Sequence, residues 1–282
     1  MAVSETGNCQ GNYTVALTNC KELLIDRRVE GAVTLVLAHR GYTGEPGDGT
    51  VRENTLEAFA AARRRGADGV ELDVRLSADG ALVVHHDAEI PGLGRLANLA
   101  VAALPGWVPL LADALAGCAG LVVNVEVKHD PADDPGRTLA ARVAAELAAD
   151  AVAGWAPPGP PPPGGGVLVS SFDAASLDVV VERAPEVPTG LLVHWAADPA
   201  TGLAEAEAHG CRAVHPFVGR VDRDYVEAAR RRCLGVNVWT VNADEDLSAM
   251  GALGVDAVIT DRLPAALAAV GRPPPNGGTG AP

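Results

Sequence analysis

GADGVELDVRLSADGALVVHHD, residues 66–87, is the stretch on which the fold turns. It holds two apolar, strand-like runs, Gly69–Val74 and Ala81–Asp87. They lie too close together for a parallel crossover, which takes a dozen or more residues. Asp79-Gly80 between them is a strong two-residue hairpin signal. Glu71 to Asp87 therefore reads as one long hairpin, a strand that runs out past a rim and folds back. A two-residue turn at Asp79-Gly80 sets Asp73 opposite His86, and strand alternation puts Glu71 on the same face as Asp73.

Outward from this hairpin, short apolar runs alternate with Ala-rich stretches of helical spacing. The runs are Thr34–His39, Gly69–Val74, Leu121–Lys128, Val167–Phe172, Thr189–His194, Ala213–Pro216, Gly235–Val241 and Asp256–Asp261. Between them, Leu56, Phe59 and Ala60, or Leu139, Val143 and Leu147, recur at helical spacing. Eight strand–helix alternations predict an α/β chain folded as a (β/α)8 TIM-type barrel, with a β-hairpin extension after strand 2. A doubly wound open sheet is the alternative, weakened because no Gly-rich dinucleotide turn follows the first strand. The expected organisation is an N-terminal extension over 1–33, a barrel domain over 34–272 and a disordered Pro/Gly tail over 273–282. The Pro/Gly run Pro157–Gly166 precedes a strand, so in a barrel it lies on the face opposite the chemistry and reads as a tolerated surface loop.

The bulk numbers suit this reading. The chain has 282 residues, 48% of them hydrophobic, and a formal net charge of -14. One barrel takes about 250 residues. Such an acidic chain disfavours nucleic acid as a partner. Binding an anionic phosphate then needs a local remedy, a metal or a few aimed cations, and of only two lysines one is Lys128. The five cysteines show no CxxC pair and are expected as free thiols in a reducing, cytoplasmic setting. The start of the chain lacks the basic-then-apolar pattern of a secretory signal. The most apolar stretch, Leu96 to Val127, is broken by Pro105, Pro109 and Asp113 and does not read as a membrane span. Oligomeric state is left open.

The strand ends carry the chemistry. Strand one ends His39-Arg40-Gly41, strand two carries Glu71-Leu72-Asp73, the hairpin returns His86-Asp87, strand three ends Glu126-Val127-Lys128, and the last strand ends Thr260-Asp261. Barrel enzymes place their catalysts at these ends. Glu71, Asp73 and Glu126 can converge as hard oxygen ligands for Mg2+ or Ca2+, and a cation would offset their mutual repulsion. Arg40 and Lys128 supply positive charge for a phosphate. His39 and His86 can serve as general base and general acid, with His86 the acid that protonates the leaving alcohol. Each piece alone has a plainer reading as a structural His or an ion pair; their joint occurrence favours metal-assisted phosphoryl transfer. By alternation His85 points away, and His194 and His215 line the mouth without acting.

Several stretches together resemble the glycerophosphodiester phosphodiesterase family. They are His39-Arg40-Gly41, Glu53-Asn54-Thr55 with Ala58-Phe59, the block Gly66–Val74, Asp79-Gly80, Val83–Asp87, Glu126-Val127-Lys128, Ser170-Ser171-Phe172, Val238–Asn242, Gly254–Asp256 and Ile259–Arg262. The resemblance runs in order from about residue 34 to 263. It implies a TIM barrel, divalent-metal dependence, and hydrolysis of glycerophosphodiesters to glycerol 3-phosphate and an alcohol. By motif it implies His39 and His86 as the acid/base pair and Glu71, Asp73 and Glu126 as metal ligands. It also implies Arg40 and Lys128 on the phosphate, Glu53 at the metal or substrate rim, and Trp239 walling the glycerol site. Two features depart from the family: Asp87 is followed by Ala88-Glu89-Ile90-Pro91 with a helix predicted soon after, near Pro109, and the loop Thr43–Arg52 is Gly-rich. These leave the alcohol open and admit a larger phosphodiester or a lysophospholipid.

Two further readings compete: a lysophospholipase D or cyclising phosphodiesterase on the same barrel, and an inactive barrel used for binding. An exposed apolar ring at the mouth would favour lipid, and none is evident in the sequence. Retention of both histidines and all three carboxylates argues against an inactive barrel.

Overall fold

The computed structural model describes residues 33–44, 51–149, 153–157, 160–162 and 164–272. The expected N-terminal extension, but for Val33, and the expected tail lie outside these residues. Eight parallel strands close a barrel: β1 (Leu35–Ala38), β2 (Gly69–Leu76), β6 (Val122–Val127), β7 (Gly166–Ser171), β8 (Thr189–Val193), β9 (Ala213–Pro216), β10 (Gly235–Val238) and β11 (Ala257–Thr260). Closure comes from β1, which pairs with β11 at Leu37↔Ile259 and with β2 at Leu37↔Gly69. A helix follows each strand: α1 (Leu56–Arg64), α2 (Leu111–Gly117), α3 (Thr138–Ala149), α4 (Ala174–Arg183), α5 (Pro199–Ala208), α6 (Arg223–Arg231), α7 (Asp244–Leu253) and α8 (Leu263–Ala269). The predicted strands agree with these to within a few residues at their ends.

Alternation decides what each strand shows to the barrel interior. On β2, Val70, Leu72 and Val74 pack outward into the main core under the helices, and on β6 Val123, Val125 and Val127 do the same. Glu71, Asp73, Asn124 and Glu126 are left facing inward, buried all the same because helices and barrel cover both faces. Helix α1 shows the local logic. Thr55 caps it by accepting from Ala58 N at 3.2 Å, Ala58, Phe59 and Ala62 form its buried face, and Arg63 and Arg64 sit in its last turn. A second apolar cluster of Leu37, Val122, Leu168, Ala213, Ala257 and Ile259 fills the barrel and includes Trp155, which is 1% exposed. Trp155 arrives from the segment just before Pro157 and seals this end of the barrel.

The hairpin differs from expectation in register. Strand β3 (Leu82–Val84) pairs Val74↔Val84, Arg75↔Val83 and Leu76↔Leu82. Ser77 N donates to Ala81 O at 3.0 Å, so the loop is the three residues Ala78–Gly80 rather than two, with Gly80 at φ +78°. Asp79 stabilises that longer loop by accepting from Ser77 Oγ at 2.6 Å and from Val101 N at 3.2 Å. The residue level with Asp73 is therefore His85, whose N donates to Asp73 O at 2.9 Å, and not His86. A second small hairpin, β4 (Glu89–Ile90) with β5 (Gly94–Arg95), follows and is tied by Arg95 to Asp130 at 2.9 Å.

Cys233 is disulfide-bonded, whereas Cys118 and Cys211 are free; the expectation of free thiols throughout fails at Cys233. No described helix is long and apolar enough to cross a membrane.

Candidate active site

The inward side chains of β2 and β6 meet at the carboxyl end of the barrel. Asp73 and Glu126 are register partners across the two strands. One carboxylate oxygen from each of Glu71, Asp73 and Glu126 lies within 4.8 Å of the others, and all three residues are buried. Lys128 sits one turn of the pleat past Glu126, with Nζ 2.5 Å from Glu126 Oε1 and 3.0 Å from Asp73 Oδ1.

Arg40 enters from the end of β1 in a left-handed conformation, φ 55°. Its N donates to Glu71 Oε2 at 3.0 Å, its Nε lies 3.3 Å from Asp73 Oδ2, and its Nη1 donates to Glu53 Oε1 at 2.9 Å. The turn is held open by Gly41 at φ +84°, where a Cβ would lie 2.7 Å from Ala58 Cβ. Asn54, also left-handed at φ 55°, donates its N to Arg40 O at 2.9 Å and its Nδ2 to Asp73 Oδ2 at 2.7 Å. Backbone strain of this kind, of order 1–3 kcal/mol per residue, persists where surrounding contacts over-determine it.

The carboxylates feel one another. Burial, reinforced by the Asp73 charge, pushes Glu71 up to about 8. Burial raises Glu126 too, partly relieved by Lys128. Burial opposes Asp73, yet Lys128 and Arg40 hold it below the usual carboxylate range. Glu71 Oε1, Asp73 Oδ1 and Glu126 Oε1 are buried without a well-directed hydrogen bond. Three hard oxygen donors, clustered, partly orphaned and repelling, fit a divalent cation of the Mg2+ or Ca2+ kind.

Both histidines reach this cluster. His39 Nδ1 is 2.7 Å from Asp261 Oδ1, which turns Nε2 toward Glu71 Oε2 at 3.9 Å. Burial works against a charged His39, but the Asp261 hydrogen bond and the Glu71 carboxylate outweigh it and raise its pKa. Asp261 is held in turn by Asn242 Nδ2 at 2.7 Å. His86 reaches the site despite the shifted register, because the chain leaves the ladder after Val84 and bends. Arg75 Nε donates to His86 O at 2.7 Å within that bend, and His86 Nδ1 pairs with Asp87 Oδ1 at 2.7 Å. The charges of Asp73, Lys128 and Arg40 all act on the imidazole; burial lowers its pKa, Asp73 opposes, and the two cations add to the lowering. His85 stacks instead on Trp107, with centroids 5.8 Å apart. Their surroundings thus shift the two imidazoles in opposite directions, His39 up and His86 down.

Of the nine residues singled out from sequence, His39, Arg40, Glu71, Asp73, His86, Glu126 and Lys128 converge. Glu53 reaches them through Arg40 and is half exposed at the rim. Trp239 stands across the mouth, its Nε1 donating to His215 O at 2.7 Å and its ring edge-on to Phe172 and Phe217 at 5.5 and 5.7 Å. His215 does not line the mouth: it is fully buried and its pKa is pushed down to about 3 by that burial. Asn54, Asp261 and Arg75 were given no role from spacing alone, since each acts through a partner distant in sequence or through backbone.

Residues 39–265 match the glycerophosphoryl diester phosphodiesterase family. A glycerophosphodiester phosphodiesterase of Caldanaerobacter subterraneus subsp. tengcongensis is 30% identical over 249 residues, which cover 81% of this chain and 94% of that protein. The crystal structure of a glycerophosphodiester phosphodiesterase from Thermotoga maritima superposes with a TM-score of 0.64 at 26% identity, covering 82% of this chain and 95% of that one. An Oleispira antarctica phosphodiesterase, solved in complex with the product sn-glycerol-3-phosphate, shares the fold with a TM-score of 0.69 at 24% identity, covering 85% and 97%.

Proposed function

The chain belongs to the glycerophosphoryl diester phosphodiesterase family, and from that premise we propose that it hydrolyses glycerophosphodiesters to glycerol 3-phosphate and an alcohol with the help of a divalent cation. The observation that carries this is the convergence of three buried carboxylates, two cations and two histidines at one end of the barrel. Glu71, Asp73 and Glu126 hold Mg2+ or Ca2+, which when bound supplies Lewis-acid polarisation of the phosphoryl group. Arg40 and Lys128 orient the anionic phosphate, Glu53 fixes the Arg40 guanidinium at the rim, and Trp239 walls the glycerol.

His39 and His86 form the acid/base pair. In this pair His39 serves as the base and His86 as the acid that protonates the leaving alcohol. Asp261 keeps His39 in one tautomer and supports its charge, as a carboxylate behind an imidazole does.

The test is release of glycerol 3-phosphate from a panel of glycerophosphodiesters with and without a chelator. Chelator-sensitive release from at least one member is expected. A cyclic phosphate as sole product would select the cyclising alternative, and no release from any member would overturn the reading.

A further inference from the structure

On the His86 side of the mouth, Trp107 carries two partners. Arg52 lays its guanidinium over the ring, Cζ 4.1 Å from the centroid, and His85 meets the same ring at 5.8 Å. Arg52 directly precedes Glu53, which holds Arg40, and His85 directly precedes His86. Trp107 therefore ties together the two segments that carry the phosphate clamp and the acid. Its own loop is anchored to β3, where Val84 N donates to Pro109 O at 2.9 Å. The arginines of this side differ in one respect. Arg40 is committed to Glu53 and Asp73, Arg75 to His86 O, and Arg95 to Asp130 and Asp133. Arg52 is exposed, and among the described residues no carboxylate pairs with its guanidinium.

We propose that Arg52, held on Trp107, binds a carboxylate on the leaving alcohol, so that the enzyme favours head groups bearing an anion over purely cationic ones; this rests on the phosphodiesterase reading above. The bond that breaks joins phosphorus to the alcohol oxygen. Water's oxygen takes its place on phosphorus, the proton of water passes to His39, and His86 protonates the departing oxygen. The alcohol thus leaves on the side of His86, where Arg52 and Trp107 stand. Trp239, the wall for glycerol, belongs to the end of β10, with β11 and β1 between it and β2. Stacking fixes an otherwise flexible side chain before substrate arrives and leaves the edge of the guanidinium free to donate to a planar anion. A cation already covers the Trp107 ring, so a quaternary ammonium meets a like charge there instead of a bare aromatic face. The neighbouring carboxylates do not reverse this. Glu53 is paired with Arg40, and Asp87 with His86 at 2.7 Å. Glu57 and Asp113 lie with Trp107 along a separate groove that includes neither Arg52 nor His85. In a chain of net charge -14, an anionic head group needs such an aimed cation.

The experiment compares kcat/KM for glycerophosphoserine and glycerophosphoethanolamine, whose leaving alcohols differ by one carboxylate, in the presence of Mg2+. In Arg52→Gln the ratio of the serine to the ethanolamine diester is expected to fall about five-fold, mostly through KM. The wild-type ratio should also shrink as ionic strength rises from about 0.01 to 0.15 M, where the Debye length drops from about 30 to 8 Å, and Arg52→Gln should lose this salt dependence. Arg52→Lys, which keeps the charge without the planar fork, should retain part of the preference. An unchanged ratio in Arg52→Gln would overturn the proposal, and so would an equal fall for both diesters, which would make the stack structural. If the wild type hydrolyses neither diester, the phosphodiesterase reading fails separately. Titration of tryptophan fluorescence with the same two diesters then decides the binding claim: Arg52→Gln should weaken glycerophosphoserine about five-fold relative to glycerophosphoethanolamine, and a wild-type ratio of affinities in that variant would overturn it.

Discussion

The two halves of the barrel mouth are built on opposite principles. Strands β11, β1, β2 and β6 contribute Asp261, His39, Arg40, Glu71, Asp73, Glu126 and Lys128, mostly buried and locked by charged contacts between 2.5 and 3.9 Å. Strands β7 to β10 contribute Phe172, His194, Phe217 and Trp239, joined edge-on and partly open to solvent. In the charged half every group depends on its neighbour, because a buried charge that loses its partner keeps the full desolvation penalty. In the aromatic half each ring contributes area, and the loss of one leaves the others intact. Substitutions should therefore be severe and cooperative on one side, mild and graded on the other.

The largest effect expected is from cation removal: exhaustive chelation abolishes hydrolysis, and added Mg2+ or Ca2+ restores it. Full activity in the chelated protein would remove the ground for treating the carboxylates as ligands. Next come His39→Ala and His86→Ala, each expected to lower kcat about 10²–10⁴-fold. His85→Ala, which sits on Trp107 outside the cluster, should keep most of the rate. A dead His85→Ala protein with an active His86→Ala one would mean that His85, and not His86, serves the cluster.

A subtler change separates the two proton-transfer orders. A base His39 must be neutral, so activity falls as pH drops through its pKa; an acid His86 must be protonated, so activity falls as pH rises through its pKa. The Asp261 hydrogen bond raises the His39 pKa. Asp261→Asn should then move the acidic limb of the kcat profile to lower pH and widen the plateau. Movement of the alkaline limb to lower pH instead would make His39 the acid.

The smallest effects belong to exposed rings, and two tryptophans measure them. Trp155, sealed in the barrel base, should cost about 3–5 kcal/mol of stability as Trp155→Ala. Trp195→Ala in the aromatic half should stay within about 0.5 kcal/mol. Chemical denaturation of both variants reads the difference, and equal losses would show that the exposed ring carries structural weight.

The hairpin shows where sequence reasoning stops. Asp79-Gly80 serves a two-residue turn and a three-residue loop equally well, and one residue of difference moves every pair in the ladder. The longer loop is chosen by contacts from outside, the Val101 N that Asp79 accepts among them. The bend that Arg75 holds leaves His86 within the field of Asp73, Lys128 and Arg40, an orientation that depends on backbone contacts and not on local spacing. The aromatic half escaped notice similarly, since Phe172, Trp195 and Trp239 lie on three different strand ends and only barrel closure lines them up.

The order of eight apolar runs, the carboxylates at alternate positions of two neighbouring strands and the histidines at strand ends were settled by local chain chemistry, because period and strand-end position are properties of adjacent residues. The pairing of His39 with Asp261, 222 positions later, the left-handed turns at Arg40 and Asn54, the loop length at Gly80 and the opposition of a charged to an aromatic half were decided only by tertiary structure. Each of these depends on which distant backbone or side chain arrives to satisfy a buried polar group or cover a ring, and that is set when β1 closes between β11 and β2.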